Sequence, residues 1–145
     1  MARIPTLKKV VMFTPSAVMG WMASLIAKFD TQHVTARIEA GDEDGSSVRR
    51  FTVQVVDRLT NPVRDRFPVR FTVGTADTGA PAGTQTVSVV TGATVQTVAA
   101  NQCIDLMTDA AGLAEVDVTV TGAGTRYVRA TIGAESTSSG AVAWT

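Results

Sequence analysis

The sequence contains very few of the residues that usually carry out chemistry. It has one cysteine, Cys103, and one histidine, His33, among 145 residues. A single cysteine excludes a disulfide within the chain, and these two residues cannot supply the four ligands of a Cys/His zinc site. A nucleophilic centre would depend on His33 or Cys103, but TQHVTARIE is typical of a strand and NQCIDLMTD brings no cation near the thiol. The sequence therefore predicts a non-enzymatic protein without a metal or cofactor.

Nucleotide-binding and zinc-protease motifs are also absent from the sequence. No Walker loop and no HExxH motif occurs anywhere in the chain. The segment Gly122-Ala123-Gly124-Thr125 is too short for a dinucleotide fingerprint. It follows a run of alternating residues, and we expect it to form a hairpin turn.

Leucine is scarce, whereas β-branched residues are abundant. Leucine occurs five times, while valine and threonine occur 21 times each, and 37 of these 42 residues lie between positions 31 and 145. β-branched side chains pack well on a pleated sheet and are poor helix formers. The composition therefore predicts an all-β domain in this part of the chain.

The formal net charge of zero conceals two oppositely charged parts. Residues 1–29 contain four basic residues and no acidic one, whereas nine arginines and all 13 acidic residues follow from Asp30 onward. The first part is therefore +4 and the second −4, and no lysine follows Lys28. This shift in charge predicts an apolar, basic N-terminal arm of residues 1–31 and a β domain of residues 32–145.

The arm contains an uncharged stretch, residues 10–27, that has several interpretations. A basic start before an apolar run is typical of a secretory signal, although a small-residue cleavage site is poorly formed here. Eighteen uncharged residues are at the short limit for a membrane span, and Thr14, Pro15, Ser16 and Ser24 dilute their hydrophobicity. The stretch could also pack on its own β domain, or dock on a protein partner.

Helical spacing favours the docking arm. Thr14 and Pro15 form a good helix start, as an N-cap followed by a first-turn proline. Apolar residues then recur on one side of the expected helix. We predict that these residues contact the partner: Val18, Trp21, Met22, Leu25, Ile26 and Phe29. Before Thr14 the sequence is typical of an extended segment.

From residue 31 onward the hydrophobic pattern has a period of two. Alternation in segments such as VRRFTVQVVD and LAEVDVTVT, with turn signals about every ten residues, predicts eight or nine short antiparallel strands. This spacing is typical of a β-sandwich or a small barrel. Pro68 predicts an edge strand or a bulge in RFPVRFTVG. The expected inner-face residues are Phe51, Val53, Val55, Val69, Phe71, Val73, Val116, Val118 and Val120, and Trp144 is expected to close the core or cover its edge.

Two separated segments resemble the bacterial Ig-like domains of the invasin type. FTVQVVDRLTNPVRDRFPVRFTVG is similar to the family's strand, D-x-x-x-x-P-V and V-x-F-x-V pattern, at Asp57, Pro62, Val63, Val69, Phe71 and Val73. TDAAGLAEVDVTVTGAGTRYVRATIG is similar to its T-D-A-x-G-x-A-x-V-x-V pattern and Tyr-Val strand, at Thr108, Asp109, Gly112, Ala114, Val116, Gly124, Tyr127 and Val128. The resemblance implies an Ig-like antiparallel β-sandwich over residues 32–145.

The order of these strand and turn segments is also similar to that of small Ig-like proteins encoded among the virion genes of tailed bacteriophages. Invasin-type domains usually form arrays on exported adhesins, whereas this chain has one copy and an apolar arm. The resemblance implies a multi-copy virion protein that decorates or cements a capsid, neck or tail surface. Its partners would be other virion structural proteins, with a host-surface glycan as a further ligand. The alternative is a membrane-anchored or exported adhesin domain, with residues 10–27 in the membrane.

Two charged clusters have both functional and structural interpretations. The carboxylates of GDEDG, at Asp42, Glu43 and Asp44, could hold calcium, but the spacing favours a solvated turn. Asp57, Asp105 and Asp109 form a second acidic group only if the fold brings them together. Six arginines crowd the strands around residue 60, where they could bind an acidic partner, a carbohydrate or a nucleic acid: Arg49, Arg50, Arg58, Arg64, Arg66 and Arg70. We favour outward, solvated positions with cross-strand acidic partners.

Overall fold

The computed structural model describes residues 33–145, and this range contains nine β-strands and no helix. The predicted arm of residues 1–31 lies outside the described range. In chain order the strands are β1 (Thr35–Glu43), β2 (Val48–Val56), β3 (Pro68–Gly74), β4 (Thr86–Thr91), β5 (Ala93–Ala99), β6 (Cys103–Met107), β7 (Leu113–Thr119), β8 (Gly124–Ile132) and β9 (Glu135–Trp144). The predictions of an all-β fold and of eight or nine strands are confirmed.

The strands form two antiparallel sheets. One sheet has the order β1-β2-β7-β4, and the other has the order β5-β6-β3-β8-β9. Three consecutive pairs form hairpins, namely β1–β2, β5–β6 and β8–β9. Each of the other connections carries the chain from one sheet to the other. Several hydrogen-bonded neighbours, such as β2 and β7, are therefore far apart in the sequence, and the chain must form both sheets before these strands can pair.

The inner faces of the two sheets share one hydrophobic core, which makes the fold a β-sandwich. Phe51 of β2 and Phe71 of β3 meet edge to face, with ring centroids 6.2 Å apart. Trp144 of β9 lies 6.1 Å from Phe51 and is buried, which confirms its predicted place at the core. The predicted inner-face residues are all at most 1% exposed: Phe51, Val53, Val55, Val69, Phe71, Val73, Val116, Val118 and Val120. Period two therefore identified the buried face of each of these strands.

Pro68 does not mark an edge strand, so that prediction is wrong. β3 lies at the centre of the five-stranded sheet. Pro68 is its first residue and pairs with Met107 of β6, whereas the pairing of β3 with β8 begins only at Arg70. Proline has no backbone N–H to donate. This costs no hydrogen bond between β3 and β8, because no residue of β8 pairs with Pro68.

The segment from Gly122 to Thr125 is not a hairpin turn either. β7 ends at Thr119 in the four-stranded sheet, and β8 begins at Gly124 in the five-stranded sheet. The connection therefore crosses between sheets. Gly122 has a φ of 79°, so the glycine signal for a turn was correct although the topology was not.

Gly112 is the glycine whose replacement the surroundings exclude most clearly. It lies in the connection from β6 to β7, with a φ of +72°. A Cβ atom at this position would lie 2.0 Å from the carbonyl oxygen of Val63, in the connection from β2 to β3. Two loops that belong to different connections therefore pack against each other through a bare glycine backbone.

We expect Gly112→Ala to lower the free energy of unfolding by about 3 kcal/mol or more, since it combines backbone strain with a steric overlap. Gly133→Ala is the matched control, because Gly133 has a φ of +59° but an added Cβ would meet no other part of the chain within 4 Å. Its cost is expected to be about 1 kcal/mol, from the left-handed backbone alone. Urea unfolding of both variants measures the difference, and equal losses would contradict the close approach to Val63.

Candidate functional site

The two residues expected to be chemically inert occupy ordinary structural positions. His33 is exposed and lies just before β1. Cys103 is a buried free thiol at the start of β6, and its Sγ lies 3.5 Å from the Oγ1 atom of Thr72 on the neighbouring strand β3. Neither side chain is paired with a charged group in the part of the chain that the structure describes.

Three aspartates close turns by one shared hydrogen-bond pattern. The Oδ1 atom of Asp44, Asp57 or Asp109 accepts the backbone N–H groups two and four residues further on, at 2.8–2.9 Å. The backbone carbonyl of each accepts the N–H three residues on, at 3.0–3.1 Å. The residue three positions on has a positive φ, which is 61° at Ser47, 65° at Thr60 and 72° at Gly112. The turns are therefore built from side-chain capping of the backbone.

These aspartates do not form a metal site. Their carboxylates are already used by backbone N–H groups, and the N–H of Asn61 holds the pKa of Asp57 below its ordinary value. Asp44 lies in the β1–β2 turn, which agrees with the solvated turn that the sequence favoured for GDEDG. Among residues 33–145 no three acidic, histidine or cysteine side chains are placed to hold a metal ion. Asp57, Asp105 and Asp109 are therefore not assembled into a cluster.

The outward arginines of β2 and β3 are neutralised by acids on the next strand. Arg50 donates from Nε and Nη2 to the carboxylate of Asp117, at 2.8 and 3.0 Å. Arg70 makes the same paired contact with Asp105, at 2.7 and 2.9 Å. In each pair the arginine's hydrogen bonds, and then its charge, lower the pKa of the aspartate. The preferred interpretation of these two arginines, as outward groups with cross-strand partners, is confirmed.

Arg49 is an exception to the predicted solvated position. Its side chain is half-buried and its guanidinium lies 5.5 Å from the centre of the Trp144 ring. It also donates to the carbonyls of Ala143 and Gly41, at 3.0 and 2.9 Å. A planar guanidinium stacks on an aromatic face while its edge donates hydrogen bonds. Arg49 therefore joins β9 to the β1–β2 hairpin.

Glu43 completes this connection between the sheets. Its carboxylate lies 3.7 Å from Arg49 Nη2 and accepts the backbone N–H and the hydroxyl of Thr145, at 3.0 and 3.1 Å. Glu43 was considered as a calcium ligand, and its oxygens are instead satisfied by the end of β9. No sequence signal connects positions about 100 residues apart.

A third charged network fixes the loop between β3 and β4. Asp77 in that loop accepts hydrogen bonds from Arg129 of β8 and Ser138 of β9, at 2.7 and 2.6 Å. The Ser138 hydroxyl, and then the guanidinium of Arg129, lower the pKa of Asp77. The loop is thereby held against the outer face of the five-stranded sheet.

The edge strands β4 and β5 contain no charged residue of their own. β4 ends the order of the four-stranded sheet, β5 ends that of the five-stranded sheet, and Gly92 alone separates the two strands. Three large apolar side chains on them are solvent-exposed, namely Val90 (47%), Val95 (62%) and Val98 (46%).

A shallow groove of about 340 Å³ lies beside Val95, on the outer face of the five-stranded sheet. Pro68, Met107 and Thr131 contribute to its lining, and the Arg70–Asp105 pair lies along it. The sequence pattern predicted strands here but did not identify a surface. In the sequence, these strands are marked only by a lack of charge, since no charged residue occurs between Thr78 and Ile104.

The predicted partner contacts lie outside residues 33–145 and keep the status of predictions: Val18, Trp21, Met22, Leu25, Ile26 and Phe29. Within the described residues there is no helix with the length and hydrophobicity needed to cross a membrane.

We expect the Arg–Asp pairs to make the stability of the domain depend on acid. A carboxylate whose pKa is lowered on folding stabilises the fold above its ordinary pKa of about 3.9. That contribution is lost as the pH falls through the lower folded-state values of Asp105 and Asp117. Denaturant unfolding at pH 6 and pH 3 will measure a smaller pH effect in the double variant Asp105→Asn/Asp117→Asn than in the parent.

Glu135→Gln is the control for this experiment, because Glu135 is an exposed carboxylate at the start of β9. It removes one negative charge without disturbing either pair, and its pH dependence should match that of the parent. High salt should reduce the parent's advantage at pH 6, since ions screen exposed pairs. An unchanged pH dependence in the double variant would show that the two pairs do not stabilise the fold.

The chain matches no protein-family model and no curated protein sequence. Its function must therefore be inferred from its own sequence pattern, strand order and surface.

Proposed function

We propose that this protein is a non-enzymatic structural component of a tailed-bacteriophage virion. In this proposal an Ig-like sandwich decorates or cements the capsid, neck or tail surface, and the N-terminal arm anchors it among other virion proteins. The observation that carries the proposal is the division of the chain into an acidic β-sandwich and a basic arm with an uncharged stretch of helical periodicity.

The strand order supports the Ig-like assignment. In Ig domains strands A, B, E and D form one sheet, and strands C, F and G form the other. The order β1-β2-β7-β4 corresponds to A-B-E-D, and the order β3-β8-β9 corresponds to C-F-G. The β5–β6 hairpin is then an insertion before β7 that extends the second sheet beside β3.

The motif residues of the invasin-type resemblance also have direct structural roles. The buried hydroxyl of Thr108 accepts the N–H of Phe67, at 2.8 Å. Asp109 closes the β6–β7 turn, and Gly112 permits both its positive φ and its contact with Val63. The T-D-A-x-G segment therefore matches the packing of the β6–β7 connection against the β2–β3 connection.

The proposed mechanism is burial of apolar surface by the arm. Burial yields about 25 cal/mol per Å², so a few hundred Å² gives several kcal/mol per copy. When many copies are held on one assembly, the high local concentration keeps each copy bound even if its individual contact is weak. Arg3, Lys8 and Lys9 would add attraction to an acidic lattice or to packaged nucleic acid.

Deletion of residues 1–31 is expected to leave a folded β domain that no longer joins its assembly. Both sheets of the described unit contribute side chains to its hydrophobic core, so circular dichroism of the truncated protein should retain the β-sheet spectrum. Co-sedimentation with virions tests the loss of assembly. If the truncated protein is incorporated into virions as well as the full-length protein is, the docking-arm hypothesis is wrong.

A full-length double variant, Trp21→Asp/Leu25→Asp, tests the apolar contacts without removing the arm. Replacing two of the proposed apolar contact residues by charged ones should weaken incorporation by about tenfold or more. Leu59→Asp is the matched control, because Leu59 is 79% exposed on the β2–β3 connection and far from the arm in sequence. Extraction only by detergent from host membranes, without virion association, would instead support a membrane-anchored or exported adhesin.

A further inference from the structure

We propose that the loop between β3 and β4 is a strap that opens as a unit while the sandwich stays folded, and that its opening uncovers the thiol of Cys103. The strap is defined as residues 75–85, which connect Gly74 to Thr86. Two observations support this device, namely the burial of outward residues beneath the strap and the polar nature of its attachments. The device belongs to the described sandwich and does not depend on what the N-terminal arm binds.

Two residues on the outer face of the five-stranded sheet are buried, although their neighbours on that face are exposed. Thr72 and Cys103 pair across β3 and β6, and they alternate with core residues such as Phe71. Their exposed fractions are 6% and 4%. The next pair on the same face is Arg70 and Asp105, whose side chains are 52% and 27% exposed. A further layer of the chain must therefore cover Thr72 and Cys103, because alternation directs them away from the core.

The strap provides this layer. Ala80 of the strap and Thr72 of β3 line one narrow gap between the loop and the sheet. The Nε2 atom of Gln102 donates to the carbonyl of Gly83 at 2.9 Å, so the strap lies beside the residue that precedes Cys103. The thiol itself is next to Thr72, with 3.5 Å between the Sγ and Oγ1 atoms. Movement of the strap away from the sheet would therefore expose both side chains.

Polar contacts, and no large apolar side chain, attach the strap to the sandwich. Its apolar residues are three alanines and Pro81, and none of its residues belongs to the hydrophobic core. In its second half, the N–H of Ala82 donates to the carbonyl of Val73 at 3.1 Å, and Gln85 Nε2 donates to the carbonyl of Asn101 at 2.8 Å. Segments that bury little apolar surface open locally at a lower free energy than global unfolding requires. The strap can therefore open while the core stays packed.

Asp77 is the latch of the strap's first half. It is the only charged residue of the strap, and its carboxylate accepts hydrogen bonds from Arg129 and Ser138, at 2.7 and 2.6 Å. The closed state also carries a cost, since the Nε atom of Arg129 is buried beside Gly79 without a hydrogen-bond partner among the described residues. Opening would hydrate that atom. Loss of the charge at Asp77 should therefore shift the strap toward its open state, because charged hydrogen bonds are the strongest of its attachments.

The rate of alkylation of the full-length protein by iodoacetamide tests the proposal, because Cys103 is the only cysteine of the chain. At low urea the rate in the parent should change little with urea concentration, since opening of the strap exposes little surface. Asp77→Asn should raise this rate by about three- to tenfold. Asp117→Asn is the matched control, because it breaks a similar pair with Arg50 on the other sheet and should leave the rate unchanged.

A second variant, Ser138→Ala, removes one hydrogen bond to Asp77 and keeps the charge of the latch. It should raise the alkylation rate by a smaller factor than Asp77→Asn, and it carries the test if Asp77→Asn does not keep the parent's circular dichroism spectrum. Three results would overturn the proposal. These are alkylation of the parent only with the steep urea dependence of global unfolding, an unchanged rate in the strap variants, and an equal increase in Asp117→Asn.

Discussion

The packing of Phe51 against Phe71 and Trp144 is the contact on which the rest of the domain depends. These rings come from β2, β3 and β9, so the cluster joins both sheets and the beginning and end of the described fold. Most connections cross between the sheets, and neither sheet can bury its inner face alone. The Arg49 guanidinium covers the Trp144 ring from the outside and, with Glu43, holds β9 to the β1–β2 hairpin. Aromatic burial and this half-buried ion pair therefore stabilise the same junction.

Much of the fold could be predicted because one physical rule, the alternation of side chains along a strand, acts at every position. It identified the buried face of β2, β3 and β7, including Val53 and Val116. The strand topology was predicted less well from the sequence. Glycine and aspartate residues indicate that the chain turns, but they do not indicate which sheet the next strand joins. Gly122 has the positive φ that its turn signal implies, yet the next strand belongs to the other sheet. Pro68 was misplaced because the start of a central strand tolerates proline as well as an edge does.

The side-chain contacts on the surface were harder to predict, because they join positions that are distant in the sequence. Arg50 and Arg70 face outward as alternation requires, and their partners Asp117 and Asp105 lie on strands that only the tertiary fold makes adjacent. Arg49 was expected in solvent, although its neighbour in space is a tryptophan about 95 residues further along the chain. A local sequence pattern does not record such pairs. The exposure of Val90, Val95 and Val98 was not predicted either, because it depends on β4 and β5 being the last strands of their sheets.

Charge distribution connects the fold with its proposed role. The outer faces carry arginines whose charges are cancelled by Asp105 and Asp117, and a similar pairing joins Asp77 to Arg129. Pairing of this kind limits the local field on the outer faces, and the part of the chain from Asp30 onward still has a net charge of −4. The net negative charge of the sandwich therefore resides on acidic residues outside these pairs, and it is opposite in sign to the charge of residues 1–29.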